Sequence, residues 1–201
     1  MTTNTTTKKR TTSRSKKPTS TSPQNKKLPP NPFMNEILDL VHEQETEEDK
    51  VKILQQYAND ALKTLLIWNF DESIISVLPP GEVPYNGLNE QNAFSGTLTD
   101  KIDDAVSKMA EIGTNSLGSQ DQGRSSIRKE YSKFYNFVKG GNDGLSSLRR
   151  ETMFINILQG LHPLEAEILC LCKDKKLQTK YKLTQEVVAE AYPDIKWGNR
   201  S

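Results

Sequence analysis

Eight basic side chains, Lys8, Lys9, Arg10, Arg14, Lys16, Lys17, Lys26 and Lys27, are gathered in residues 1–33 with no acid among them. Each can displace a counterion from a phosphate, which gives affinity for DNA or RNA without a choice of sequence. The same composition suits a solubilising tail. Met34, which opens MNEILDL, allows a third reading, an extension in front of a core that begins there. A second set of chemistry-bearing residues lies toward the other end. Cys170 and Cys172 stand two apart on a predicted helix, roughly 200° around its axis, so their side chains diverge and do not readily form a disulfide. His162 is the one histidine nearby and there is no second cysteine pair, so a zinc ligand set is incomplete and the two read as core thiols of a reducing compartment. Glu165 and Glu167 sketch an acid–base pair, but residues two apart on a helix face different ways, and solvated charges suffice to explain them. Gly140-Gly141-Asn142-Asp143-Gly144 imitates a phosphate loop without the strand that should precede it.

Enzymatic signatures are otherwise missing: the sequence has no G-x-x-x-x-G-K-S/T, H-E-x-x-H, G-x-S-x-G or dinucleotide fingerprint. The chain therefore reads as a non-enzyme with no implied cofactor, acting by contact. In RSSIRKEYSKFYNFVKGGN, beginning at Arg124, one helical stripe is Ile127, Tyr131, Phe134 and Val138, flanked by Arg128, Lys129 and Lys133. Aromatics among bases can stack on single-stranded nucleic acid, and they also serve as ordinary core. Tyr135 and Phe137 fall off the stripe and are the candidates for a protein contact, together with Trp197, which otherwise docks back on the core. Arg128 and Lys129 join the basic arm as candidate nucleic-acid contacts, with Arg124, Arg149 and Arg150 as further candidates.

These residues must be positioned by helices. Of the 201 residues only 34% are apolar, below the usual range of about 45 to 50% for globular domains, so part of the chain is expected to be unfolded. Net charge is +1, but it is segregated: residues 1–33 carry +8, residues 34–123 carry −12 and residues 124–201 carry +5. Such alternation suggests a polyanionic partner or one part of the chain lying on another. We divide the chain into a disordered basic arm (1–33), an acidic helical region (34–112) with a long loop at 79–99, a linker (113–123) and a C-terminal helical module (124–201). No secretory signal is expected, and no apolar run, Leu65-Leu66-Ile67-Trp68 included, approaches the roughly 20 residues that cross a bilayer.

The first helix is predicted over Met34–Val41. The second starts at a Thr46 cap, with Asp49 reaching back, and carries a heptad seam Val51, Leu54, Ala58, Ala61, Leu65, Trp68. A third begins at Thr99 or Asp100, with Ile102, Ala105, Val106 and Met109 inward and Asp103, Asp104 and Glu111 outward. The organising element is LSSLRRETMFINILQGLHPLEAEILCLC (145–172), two helices meeting at Gly160-Leu161-His162-Pro163. Leu148, Phe154, Ile155, Leu158 and Leu161 line the first; Leu164, Ile168, Leu171 and Cys172 line the second. Gly160 suits a left-handed residue at a helix end and Pro163 suits a first turn. A Thr184-capped helix with Val187, Val188 and Ala191 inward closes the chain. The expected fold is all-α, a small irregular helical bundle with a disordered basic N-terminal arm.

LHPLEAEILCLC followed by LTQEVVAEAY has the cadence of a sigma-factor region 4 or helix-turn-helix, but only PDIKWGNRS remains where a recognition helix should follow. From Phe134 onward, FYNFVKGGND, LRRETMFINILQGLHPLEAEILCLCKDKKLQTKYKLTQ and AYPDIKWGNRS resemble the C-terminal half of a family of small uncharacterised proteins encoded by T4-like tailed phages of marine bacteria. The similarity extends more weakly back to MNEILDL. The resemblance implies a phage origin and synthesis in the bacterial cytoplasm, with no activity or catalytic residues to carry over. The expected function is that of a phage accessory protein, a virion component or assembly factor, whose partner is a phage or host protein. The alternative is a replication or transcription factor that holds DNA or RNA through its arm.

Overall fold

The computed structural model describes residues 1, 28–86, 95–97 and 125–199. The eight basic residues of the expected arm, Arg124, the helix expected from Thr99 and the linker all lie outside the described residues. The fold is helical: α1 (Met34–His42), α2 (Glu47–Gln56), α3 (Asp60–Phe70), α4 (Ile127–Glu130) running into a 3-10 helix (Tyr131–Phe137), α5 (Ser147–Gly160), α6 (Pro163–Lys173), α7 (Leu177–Lys180) and α8 (Gln185–Ala191). Within the expected 79–99 loop, β1 (Pro84–Asn86) and β2 (Ser95–Thr97) pair antiparallel, with Tyr85 opposite Gly96.

Local chemistry explains where the helices start. Thr46 Oγ1 accepts the amide of Asp49 at 3.2 Å and donates to its carboxylate, the expected cap. Thr184 caps α8 through Val187 N, and Pro163 occupies the first turn of α6. The single long helix expected from Thr46 to Trp68 is instead two. Asn59 Oδ1 accepts Leu62 N at 2.9 Å while its Nδ2 donates to the Tyr57 carbonyl, offering the backbone a cap in place of a continued helix. Of the expected seam, Ala58 is exposed in the break, whereas Val51, Leu54, Ala61, Leu65 and Trp68 are buried. Gly160 also departs from expectation: it remains helical and the chain leaves through an extended Leu161. A glycine that the fold does require is Gly141, where a Cβ would lie 1.8 Å from the Tyr135 carbonyl oxygen.

One continuous core joins the stretches on either side of the 113–123 segment. Helix α2 packs on α8 and α1, α3 packs on α6, and α1 also packs on α6. The 145–172 hairpin is interior as expected, with a shifted register in its first helix. Phe154, Ile157, Leu158 and Leu161 are buried, whereas Leu148 is 73% exposed. Trp68 of α3 stacks on Phe137 at 6.2 Å between centroids, and Phe137 meets Phe154 of α5 edge-on at 5.1 Å. Backbone bonds from Val77 N to the Phe137 carbonyl and from Lys139 N to the Ile75 carbonyl fasten the strand after α3 to the end of the 3-10 helix.

Candidate interaction groove

Two places gather polar chemistry on this scaffold, one sealed and one open. The sealed one centres on Glu165, which is fully buried near the start of α6 rather than solvated as expected. Its Oε1 accepts the amide of Met34 at 3.1 Å and its Oε2 accepts the amide of Ile127 at 3.0 Å. Both amides open helices, α1 and α4, so one carboxylate satisfies unpaired donors at two N-termini and lies at the positive end of both dipoles. Burial raises the Glu165 pKa, opposed by those two hydrogen bonds and by the nearby Arg128 guanidinium. Arg128 in turn donates to the carbonyl of Pro32 at 3.1 and 3.2 Å. Buried His162 caps α6, its Nδ1 accepting Leu164 N at 3.2 Å. The arrangement clamps the starts of α1 and α4 onto α6.

The thiols behave likewise. Cys172 is buried and burial pushes its pKa up; Cys170 is pushed up to about 12 by burial. Among the described residues no group of three or more His, Cys, Asp and Glu could hold a metal ion, and no helix is long and apolar enough to cross a membrane.

The open place is a groove of about 540 Å³ between α5 and the α4 segment. Met153, Ile157 and the exposed Leu148 give it an apolar floor and lip, and Lys133, Glu130 and Arg149 stand at its edges. Glu130 is held by Lys133 Nζ at 2.6 Å and by Ser125 Oγ at 2.5 Å. Burial works to raise its pKa, but these hydrogen bonds and the Lys133 and Lys129 charges leave it below the ordinary value. Arg149 is exposed. An apolar trough with charged side chains of both signs on its rim suits a peptide or helix better than a small polar substrate.

The residues singled out from sequence separate in this frame. Tyr135 is 54% exposed, whereas Phe137, two residues on, is 0% exposed and cannot reach a partner. Trp197 packs partly buried against the core. Lys129 is exposed, but Arg128 is tied to Pro32 and Arg150 donates to the carbonyls of Asn136 and Asn142 at 2.7 and 2.9 Å. Both guanidiniums are therefore committed to holding the fold. Sequence reasoning missed the groove because its apolar lip, Leu148, was assigned to the core by helical spacing.

A family model described as a family of unknown function (DUF6433) matches residues 37–111 and 88–179. The chain belongs to this family. The DUF6433 match begins within α1 and runs into α7, so it takes in both walls of the groove and Glu165, while the basic arm and α8 fall beyond it. No curated protein and no solved structure matches the chain.

Proposed function

We propose that this DUF6433 member is a non-enzymatic accessory protein of a T4-like phage that works by protein–protein association, as a virion component or an assembly factor in the infected bacterial cytoplasm. The observation carrying this reading is the open groove beside α5, which is lined by the buried Ile157 and by Leu148, left 73% exposed. A large aliphatic side chain held in water at the mouth of an apolar trough is what a docking surface presents before its partner arrives. The resemblance of residues 134–201 to small phage-encoded proteins supplies the biological setting.

The test is affinity capture from phage-infected cells and analysis of purified particles, with the wild type and with Leu148→Asp. Recovery of a phage or host protein with the wild type, abolished by the substitution, supports the reading. Absence from particles together with no captured protein removes it.

A second reading is favoured by the eight basic residues before Met34 and by the exposed Lys129 and Arg149. On it the protein is a nucleic-acid-binding factor for phage replication or transcription. Affinity for DNA or RNA would then fall steeply with salt and drop on deletion of residues 1–33. Salt-independent binding, or none, excludes it.

A further inference from the structure

Gly160 is a glycine that its own surroundings do not call for. It closes α5 with a helical backbone and without a positive φ, and among the described residues a Cβ there would meet only Ser125 Cβ, at the ordinary contact distance of 3.7 Å. Glycine in a helix is less favourable than alanine, so neither backbone conformation nor internal packing accounts for its presence. The residue lines the groove, and its missing side chain leaves a notch in the groove wall. The opposite feature stands at the other end of the same helix face. Leu148 projects into solvent at 73% exposure, and the exposed Thr152 and Asn156 complete a ridge of every fourth residue running from Leu148 to Gly160. Knob and notch lie about 18 Å apart along the helix axis.

We infer that the groove is an interface between two copies of this chain, in which the two α5 helices pack antiparallel and Leu148 of each sits in the Gly160 notch of the other. Two-fold symmetry makes the match reciprocal: when Leu148 meets Gly160 of the second copy, Gly160 meets its Leu148, and Thr152 falls opposite Asn156. Charge selects the same orientation. Arg149 is exposed, whereas Lys133 is held by Glu130 at 2.6 Å. A parallel pairing would set the two Arg149 guanidiniums side by side. The antiparallel pairing places them about 15 Å apart along the axis, beyond the Debye length of about 8 Å, with each at the C-terminal, negative end of the facing α5 dipole. A face of this length is small for a permanent interface, so the association is reversible and depends on concentration. The inference rests on the reading of the groove as the protein's contact surface and deepens it by naming a second copy as the occupant.

Sedimentation velocity of the full-length protein over a range of concentrations tests this. A monomer–dimer equilibrium is expected, and a monomer at every concentration overturns the inference. Leu148→Asp puts a charge on the knob and Gly160→Leu fills the notch, and each should raise the dimer dissociation constant by about ten-fold or more. Gly160→Leu also replaces a poor helix former with a good one, so the melting temperature of dilute, monomeric protein should not fall. A dimer indifferent to both substitutions overturns the inference. Crosslinking reads the register. Thr152 and Asn156 are exposed, while the native Cys172 is buried and Cys170 partly so. On mild oxidation, a mixture of Thr152→Cys and Asn156→Cys chains should crosslink about ten-fold faster than either variant alone, because a disulfide needs Cα atoms within about 7 Å. Faster crosslinking of Thr152→Cys with itself overturns the antiparallel pairing. Partner capture separates the inference from the functional reading. If the protein stays monomeric yet captures a phage or host protein through Leu148, the inference fails and that reading stands. If it dimerises as described but is absent from particles and captures nothing, that reading fails instead.

Discussion

The carboxylate of Glu165 accepts the backbone amide of Met34 at 3.1 Å across 131 positions of sequence. Together with its bond to Ile127, it makes a single side chain the common cap of α1 and α4. Substituting Glu165→Ala leaves two buried N–H groups without acceptors, at about 1–3 kcal/mol each. Glu165→Gln keeps the volume and one acceptor oxygen, so its loss should be smaller than that of Ala. Urea denaturation midpoints of the two variants against wild type measure both.

Phe137 and Tyr135 should respond to truncation in opposite ways although they are near neighbours in sequence. Phe137→Ala removes a ring enclosed by Trp68, Phe134 and Phe154 and should cost about 3–5 kcal/mol. Tyr135→Ala, at an exposed ring, should stay within about 0.5 kcal/mol. Thermal unfolding of each variant decides.

Cys170 and Cys172 should resist thiol reagents in the native protein. Burial holds both as neutral thiols, and the thiolate is the reactive form. A colorimetric thiol assay at pH 8 should find both slow until denaturant is added, and then two equivalents. Rapid labelling of the native state would contradict the packing described.

Glu130 gives a pH signature. Its folded pKa lies below the ordinary glutamate value of 4.5, so its contribution to stability is fully present above that pH and is lost as pH falls through the depressed value. Glu130→Gln should therefore be less stable than wild type at pH 7, with the difference shrinking below pH 4.5. Denaturation curves collected across that interval show whether the two converge.

What could be read in the sequence was local. The span of α1, the Thr46 and Thr184 caps and Pro163 in a first turn depend on residues within one turn of each other, and all stand as expected. The misassigned positions depend on geometry or on distant partners. Residues 131–137 wind as a 3-10 helix with three residues per turn rather than 3.6, which aligns Phe134 with Phe137 and turns Tyr135 to solvent. Glu165 looked like a surface charge because its partners, Met34 and Ile127, are remote in sequence. Leu148 matched the spacing of the α5 core, yet it lies in the first turn, before the helix reaches the body of the fold.

The stretch after α8 is stitched to α2 and α3. Tyr192 Oη donates to the Leu54 carbonyl at 2.6 Å, Lys63 pairs with Asp194 at 2.8 Å, and the Gly198 amide donates to the Asp71 carboxylate at 3.0 Å. Helices α2 and α3 thus wait for residues synthesised more than a hundred positions later before their seats are complete. A chain stalled before Gln185 would leave α2 without the α8 side of its packing. Acquisition of protease resistance by α2 and α3 is therefore tied to the emergence of residues 192–198 rather than to the emergence of α3.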